Sequence, residues 1–195
     1  MTCTLENHRT ELVALLSPLF ASLGSEVLPT DSPEANDRVL SQDLYALLPI
    51  PAFTNSQMDG YAARSSDLAQ ATPGSPVTLP LGFTAAAGDP QITLAAGTVS
   101  PVMTGAMIPL GADTVIPVEE SAAGSFPELV RANQGAPTGQ AQFSAPSKPG
   151  RFIRPAGVDL EAGALVVEAG TRLTPTMIAA LVSSACVTAS ILASL

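Results

Sequence analysis

Thr54-Asn55-Ser56-Gln57-Met58-Asp59-Gly60-Tyr61 follows closely on Pro49-Ile50-Pro51 and marks the point where the texture of the chain changes. From Ala52 to about Pro149, short apolar runs are broken by Gly and Pro, which is how small β domains read. The stretch itself crowds polar side chains beside a glycine, behind a proline-stiffened entry. Such a turn presents a carboxylate and amide donors at fixed positions. An ordinary Asp-Gly hairpin turn between two strands uses the same residues. On local grounds both readings stand, and Asp59 is the residue on which any chemistry is expected to centre.

Working upstream, Thr4–Leu19 places Leu5, Leu12, Leu15, Leu16 and Leu19 at helical spacing, away from Glu6, Arg9, Thr10 and Glu11. The pattern predicts an amphipathic helix that docks its apolar face. Residues 24–36 are rich in Gly, Pro, Asp and Ser and read as a connection, and Arg38–Leu48 reads as a strand. Downstream, Val77–Phe83 alternates apolar and polar residues, predicting a half-buried strand with Pro80 at an edge. Thr114–Val118 and Leu129–Arg131 are further strand candidates, and Ala132–Gly150 reads as a loop or weak hairpin. Thr174-Pro175 has the form of an N-cap and first-turn proline for a helix, with a β-branched strand over Val187–Leu192.

The bulk numbers exclude several function classes. Against 17 Asp+Glu stand 8 scattered Lys+Arg, a formal net charge of -9, and there is no Trp. Neither a phosphate-binding basic stripe nor an aromatic stacking platform is available, so nucleic acid is not an expected partner. Cys3 and Cys186 are the only cysteines and His8 the only histidine, which leaves no Cys/His zinc site and no histidine-based triad. No metal ligand is assigned within the chain. Met177–Leu195 carries no charge and is long enough to reach across a bilayer, but its Ser and Thr content and its helix start favour a short helix plus a strand. The N-terminus lacks a basic region followed by a long apolar run, so a cytoplasmic location is expected.

Two other clusters carry polar chemistry. In Met103-Thr104-Gly105-Ala106, continuing to Gly111-Ala112-Asp113, a threonine hydroxyl sits beside glycine amides. That suits an oxyanion, and equally any tight turn; no P-loop signature follows. In Gly150-Arg151-Phe152-Ile153-Arg154-Pro155-Ala156-Gly157-Val158-Asp159, two arginines lie near an acid. The planar guanidinium recognises phosphate or carboxylate. A plain Arg154–Asp159 ion pair is the competing account, and Glu119-Glu120 reads as a solvated turn.

In order and spacing, these clusters, together with Gly170-Thr171-Arg172-Leu173-Thr174, resemble the molybdopterin molybdenumtransferases, relatives of the gephyrin E domain. The resemblance runs from the first helix to about Val187. It implies that adenylylated molybdopterin and molybdate are converted to molybdenum cofactor and AMP, with magnesium as a cofactor held mainly outside this region. By the match, Asp59, Thr104 and Asp159 fall on catalytic positions. Asn55, Ser56, Met58, Gly60, Gly105 and Arg154 fall on substrate-binding ones. Val158 and Cys186 depart from the pattern, standing where an acid and a glycine are usual.

The resemblance further implies a mixed α+β, β-rich and elongated fold with an N-terminal helix over residues 1–22. A discontinuous small domain is expected over 23–50 and 150–184, an inserted β domain over 51–149, and the start of a molybdopterin-binding domain over 185–195. That following domain carries a Gly-Asp-Glu-Leu type motif in the family, and none occurs in these 195 residues. The chain is therefore expected to be the N-terminal part of the enzyme and inactive alone. It is expected to form a homodimer, with a molybdopterin-adenylylating protein as a further partner. A non-catalytic dimerisation or scaffold module of the same ancestry is the alternative.

Overall fold

Gly and Pro punctuation leaves room only for short strands, and the computed structural model, which describes residues 4–22, 24–127 and 129–192, is built from strands of two to five residues. In chain order they are β1 (Ser25–Pro29), β2 (Leu44–Tyr45), β3 (Asn55–Ser56), β4 (Gly60–Ala63), β5 (Val77–Pro80), β6 (Ser100–Val102), β7 (Thr114–Pro117), β8 (Gln140–Phe143), β9 (Ile153–Arg154), β10 (Leu165–Val167) and β11 (Thr188–Leu192). The helices are α1 (Leu5–Ser22) and α2 (Pro175–Ser183). Contacts divide the chain into two compact units, Met1–Ile50 with Leu160–Leu195, and Pro51–Asp159.

In the first unit, β1 pairs antiparallel with β11, from Ser25 opposite Leu192 to Pro29 opposite Thr188, and β2 pairs with β10. The Thr174 side chain caps α2 by accepting from the Met177 amide at 3.4 Å, satisfying one of the unpaired amides of a first helical turn. Leu181 of α2 then packs into a core with Leu40, Leu44, Leu173, Ala189 and Ile191. Cys186 is buried in the same core, and burial pushes its thiol pKa up. Cys3 lies outside the described residues. On α1, Leu5, Leu12, Leu15, Leu16 and Leu19 are all exposed.

Three expectations for this unit need correction and one is met. Ser25–Pro29, read as a connection, is a strand; most of its side chains are exposed, so no apolar alternation announced it, and its pairing with β11 creates it. Arg38–Leu48 is not one strand but two bridges, Val39 with Arg172 and Leu40 with Ile191, followed by the two residues of β2. Residues 185–192, assigned to the start of another domain, belong to this unit, where β11 pairs with β1; residues 193–195 lie outside the described residues. The uncharged stretch from Met177 folds as the end of α2 followed by β11, and no helix among the described residues is long and apolar enough to cross a membrane.

The second unit is organised by β4, the middle strand of the sheet β6-β4-β7. All four of its residues are buried. Because side chains alternate along a strand, Tyr61 and Ala63 enter one core layer with Leu68, Val99, Ile116 and Phe143. Ala62 enters the other with Val102, Ala106, Ile108 and Val115. Tyr61 meets Phe126 and Phe143 edge-on, with ring centroids 5.4 and 5.5 Å apart, a favourable arrangement of aromatic quadrupoles. The remaining strands form the pairs β5–β8 and β3–β9.

Here too the structure departs from the sequence reading. Leu129–Arg131 is not a strand; the Val130 carbonyl instead accepts from the Thr84 amide at 2.8 Å. The stretch 132–150, read as a loop or weak hairpin, contains β8, which pairs with the distant β5 and whose Ala141 and Phe143 are buried while Gln140 and Gln142 are exposed. β5 ends at Pro80, short of Phe83. Residues 150–159 belong with the central unit, because β9 pairs with β3 and the Gly157 amide donates to the Pro51 carbonyl at 3.0 Å.

Gly60 shows how tightly β4 is held. A Cβ there would lie 2.1 Å from the Ile116 carbonyl oxygen on β7, closer than any van der Waals contact allows. Gly60→Ala is expected to destabilise the chain by about 1–3 kcal/mol or more through this overlap. Urea denaturation measures it, and an unchanged midpoint would contradict the packing of β4 against β7.

Candidate functional site

The Asp59-Gly60 step is not a hairpin turn. β3 pairs with β9, whereas β4 pairs with β6 and β7, so the polar segment passes the chain from one sheet to another. Its bend is stabilised from within by the buried Ser56. The Ser56 hydroxyl donates to the Met58 carbonyl at 2.7 Å and accepts from the Met58 amide at 3.3 Å. The Val118 amide then holds the Asp59 carbonyl at 3.1 Å, leaving the Asp59 side chain exposed.

That side chain faces the turn following β6. Asp59 Oδ1 accepts from the Thr104 amide at 2.6 Å and from the Thr104 hydroxyl at 2.7 Å. The two bonds, amide first and hydroxyl second, stabilise the charged form and hold the carboxyl below its ordinary value. The turn itself requires Gly105, whose φ is +79°, the left-handed region that glycine enters at no steric cost.

Backbone bonds weld this turn to the polar segment. The Gly105 amide donates to the Ser56 carbonyl at 2.9 Å, and the Ser56 amide to the Ala106 carbonyl at 3.0 Å. A third stretch closes the arrangement: Asn55 lies opposite Arg154 and Ser56 opposite Ile153, and the Gln57 amide donates to the Phe152 carbonyl at 3.0 Å. Thr54 adds a cross-brace, accepting from the Ile108 amide through its carbonyl and from the Ala156 amide through its hydroxyl, both at 3.2 Å.

The three sequence clusters therefore meet in one network within the central unit. It joins Asn55, Ser56, Met58, Asp59, Gly60, Thr104, Gly105 and Arg154, while Asp159 is tied in through its ion pair with Arg154. Both partners of that pair are about half exposed, and such pairs contribute about 0–1 kcal/mol. The plain ion-pair account of these two residues thus describes the contact that exists. Glu119-Glu120 is more than a solvated turn, since Glu120 takes both terminal nitrogens of Arg151, at 2.8 and 2.5 Å.

The geometry limits what each group can do. The amides of Thr104, Gly105 and Ala106 are all engaged internally, the last by the Met103 carbonyl at 3.0 Å. This turn is therefore not an empty nest of donors awaiting an oxyanion. Ser56 is buried, with its hydroxyl committed to Met58, and Gly60 is buried against β7. Both shape the loop from within. The exposed charged groups of the network are the Asp59 carboxylate and the Arg154–Asp159 pair.

Among the described residues, no three or more His, Cys, Asp or Glu side chains converge as a metal site.

Sequence reasoning missed the supports further out. Asp113 accepts from the Ser65 amide at 2.6 Å and the Ser65 hydroxyl at 2.8 Å. Arg64 donates to the carbonyls of Gly111 at 3.3 Å and Leu94 at 3.2 Å. Asp113 closes the cluster that begins at Met103, and an acid able to cap a distant turn was the available signal. Nothing local marked Arg64.

Comparison with known proteins places this chain in a family. Residues 3–185 match the family model described as MoeA N-terminal region (domain I and II). A molybdopterin molybdenumtransferase from Synechococcus elongatus is 39% identical over 144 residues, covering 73% of this chain and 32% of that protein. Molybdopterin molybdenumtransferase 2 from Mycobacterium tuberculosis is 36% identical over 146 residues, covering 74% of this chain and 33% of its own. The chain thus spans about a third of the length of the curated relatives it matches. Among solved structures, a molybdopterin biosynthesis MoeA protein from Pyrococcus horikoshii superposes with a TM-score of 0.70 at 28% identity, covering 90% of this chain and 44% of the other.

The Asp59 clamp generates a measurable titration. Thr104→Val removes the hydroxyl bond but keeps the amide one, so the Asp59 pKa is expected to rise part of the way toward about 3.9. A depressed folded pKa contributes stability that is present above about 3.9 and is lost as pH falls through the lowered value. Carboxyl-carbon NMR titration of wild type and variant checks both; an unmoved Asp59 titration would contradict the clamp.

Proposed function

Because this chain belongs to the MoeA N-terminal region family, we propose that it supplies one part of the active site of a molybdenum-inserting enzyme, acting on adenylylated molybdopterin and molybdate to give molybdenum cofactor and AMP. The observation that carries the reading is the Asp59–Thr104 clamp, in which three separated stretches cooperate to hold one ionised, exposed carboxylate. Cleaving a phosphoanhydride depends on positioning and charge control more than on a side-chain nucleophile. A carboxylate with one oxygen fixed and the other outward meets the positioning requirement.

In this reading Asp59 contacts substrate through Oδ2, accepting a hydrogen bond from the bound molecule. Thr104 positions it, and Asn55, Ser56, Met58, Gly60 and Gly105 maintain the loop pair. Arg154 offers a planar cation suited to a phosphate or molybdate oxyanion, with Asp159 modulating its availability. No residue of this chain is assigned to magnesium. The protein is proposed to work in the cytoplasm as a homodimer, completing its site with groups outside this region. A non-catalytic scaffold role draws support from one feature, the internal use of all three amides in the Thr104 turn.

In an enzyme of full family length containing these residues, Asp59→Asn is expected to reduce AMP release by at least about a hundredfold with an unchanged circular dichroism spectrum. Normal release from that variant would refute the role of Asp59. The 195 residues alone are expected to release no AMP from adenylylated molybdopterin, and turnover by them would overturn the shared-site reading.

A further inference from the structure

The segment that carries Asp59 hangs between two main-chain supports. At one end the Gln57 amide donates to the Phe152 carbonyl at 3.0 Å, and at the other the Val118 amide donates to the Asp59 carbonyl at 3.1 Å. One side-chain pair ties these supports together. Arg151 gives both terminal nitrogens to Glu120, at 2.8 and 2.5 Å, and Glu120 ends the short turn that starts at Val118. The Arg151 guanidinium also lies over the Phe152 ring, 4.9 Å from its centroid. The contacts close a circuit from Asp59 through Val118, Glu120, Arg151, Phe152 and Gln57 back to Asp59.

Phe152 is the strained member. Its φ is +52°, the left-handed region in which a bulky side chain crowds its own backbone, and such a conformation lasts only where the surroundings over-determine it. The Val115 amide holds the Arg151 carbonyl at 3.0 Å, the Phe152 ring packs against the core layer of Ala62, Val102 and Val115, and the guanidinium covers the ring. Arg151 and Glu120 are 34% and 43% exposed, and an exposed ion pair alone contributes little. Two parallel bonds and a ring beneath the cation give this pair a fixed geometry.

We propose that Glu120 and Arg151 are positioning residues for Asp59, a strut that sets where its carboxylate stands against Thr104. The inference rests on the reading of Asp59 as the carboxylate that meets substrate; neither strut residue is assigned a substrate contact. With the strut cut, Phe152 relaxes, its carbonyl leaves Gln57, and the segment no longer delivers Oδ1 to both Thr104 donors.

Carboxyl-carbon NMR titration of Asp59 in the 195-residue chain separates a strut from a mere change of charge. Glu120→Gln removes a negative charge and Arg151→Gln a positive one, so a field effect alone lowers the Asp59 pKa in the first, raises it in the second and leaves it unmoved in the double variant. The strut account expects a rise toward about 3.9 in all three. Arg131→Gln, which breaks the Arg131–Asp89 pair of the same unit, is expected to leave the titration in place. Opposite shifts in the two single variants, or an unmoved double variant, would overturn the proposal. In an enzyme of full family length containing these residues, the strut variants are expected to slow AMP release about ten- to a hundredfold at saturating substrate, with KM little changed. Unchanged rates alongside lost activity in Asp59→Asn would equally overturn it. The titration is read without substrate, so it stands apart from the enzyme reading, which Asp59→Asn tests.

Discussion

One carboxylate oxygen accepting two bonds from a single threonine is the constraint on which the central unit turns. Asp59 and Thr104 are 45 positions apart, and neither lies in a strand. For Oδ1 to reach both the amide and the hydroxyl of Thr104, the Ser56–Met58 bend and the Gly105 turn must each hold their form. Charge-assisted bonds to an ionised acceptor are stronger than neutral ones. The clamp therefore stabilises two loops at once and fixes a negative charge at the surface, which is how fold and proposed function come to share the same residues.

Packing makes that clamp rigid. β4 is buried on both faces and approaches β7 so closely at position 60 that no side chain fits. Asp59 immediately precedes that contact, so its backbone is anchored one residue from the sheet. On the other side, β9 is registered against β3, which brings Arg154 into the network. A ligand contact built on such supports keeps its geometry without relying on a flexible loop.

Much of the site was legible in the sequence because glycine, proline and short polar residues advertise special backbone geometry. Thr104 and Gly105 were read correctly as turn residues, Asp59-Gly60 proved to be a passage between two sheets instead of a hairpin, and the helix start at Thr174-Pro175 followed from capping chemistry. What escaped were features created by distant pairing. β1 has mostly exposed side chains and exists through β11, while β8 hides in a stretch rich in Gln, Gly and Pro. Ser56 and Gly60 turned out to be buried, and polarity and small size mark both binding loops and tight packing. Only burial separates the two.

The central claim is that Asp59 and Thr104 act as one unit through the ionised carboxylate. A double-mutant cycle of Asp59→Asn and Thr104→Val, measured by urea denaturation, tests it most directly. The account predicts a coupling energy at about pH 7 of about 0.5–3 kcal/mol, shrinking toward zero as pH falls through the lowered Asp59 pKa. Strictly additive effects at neutral pH would contradict it.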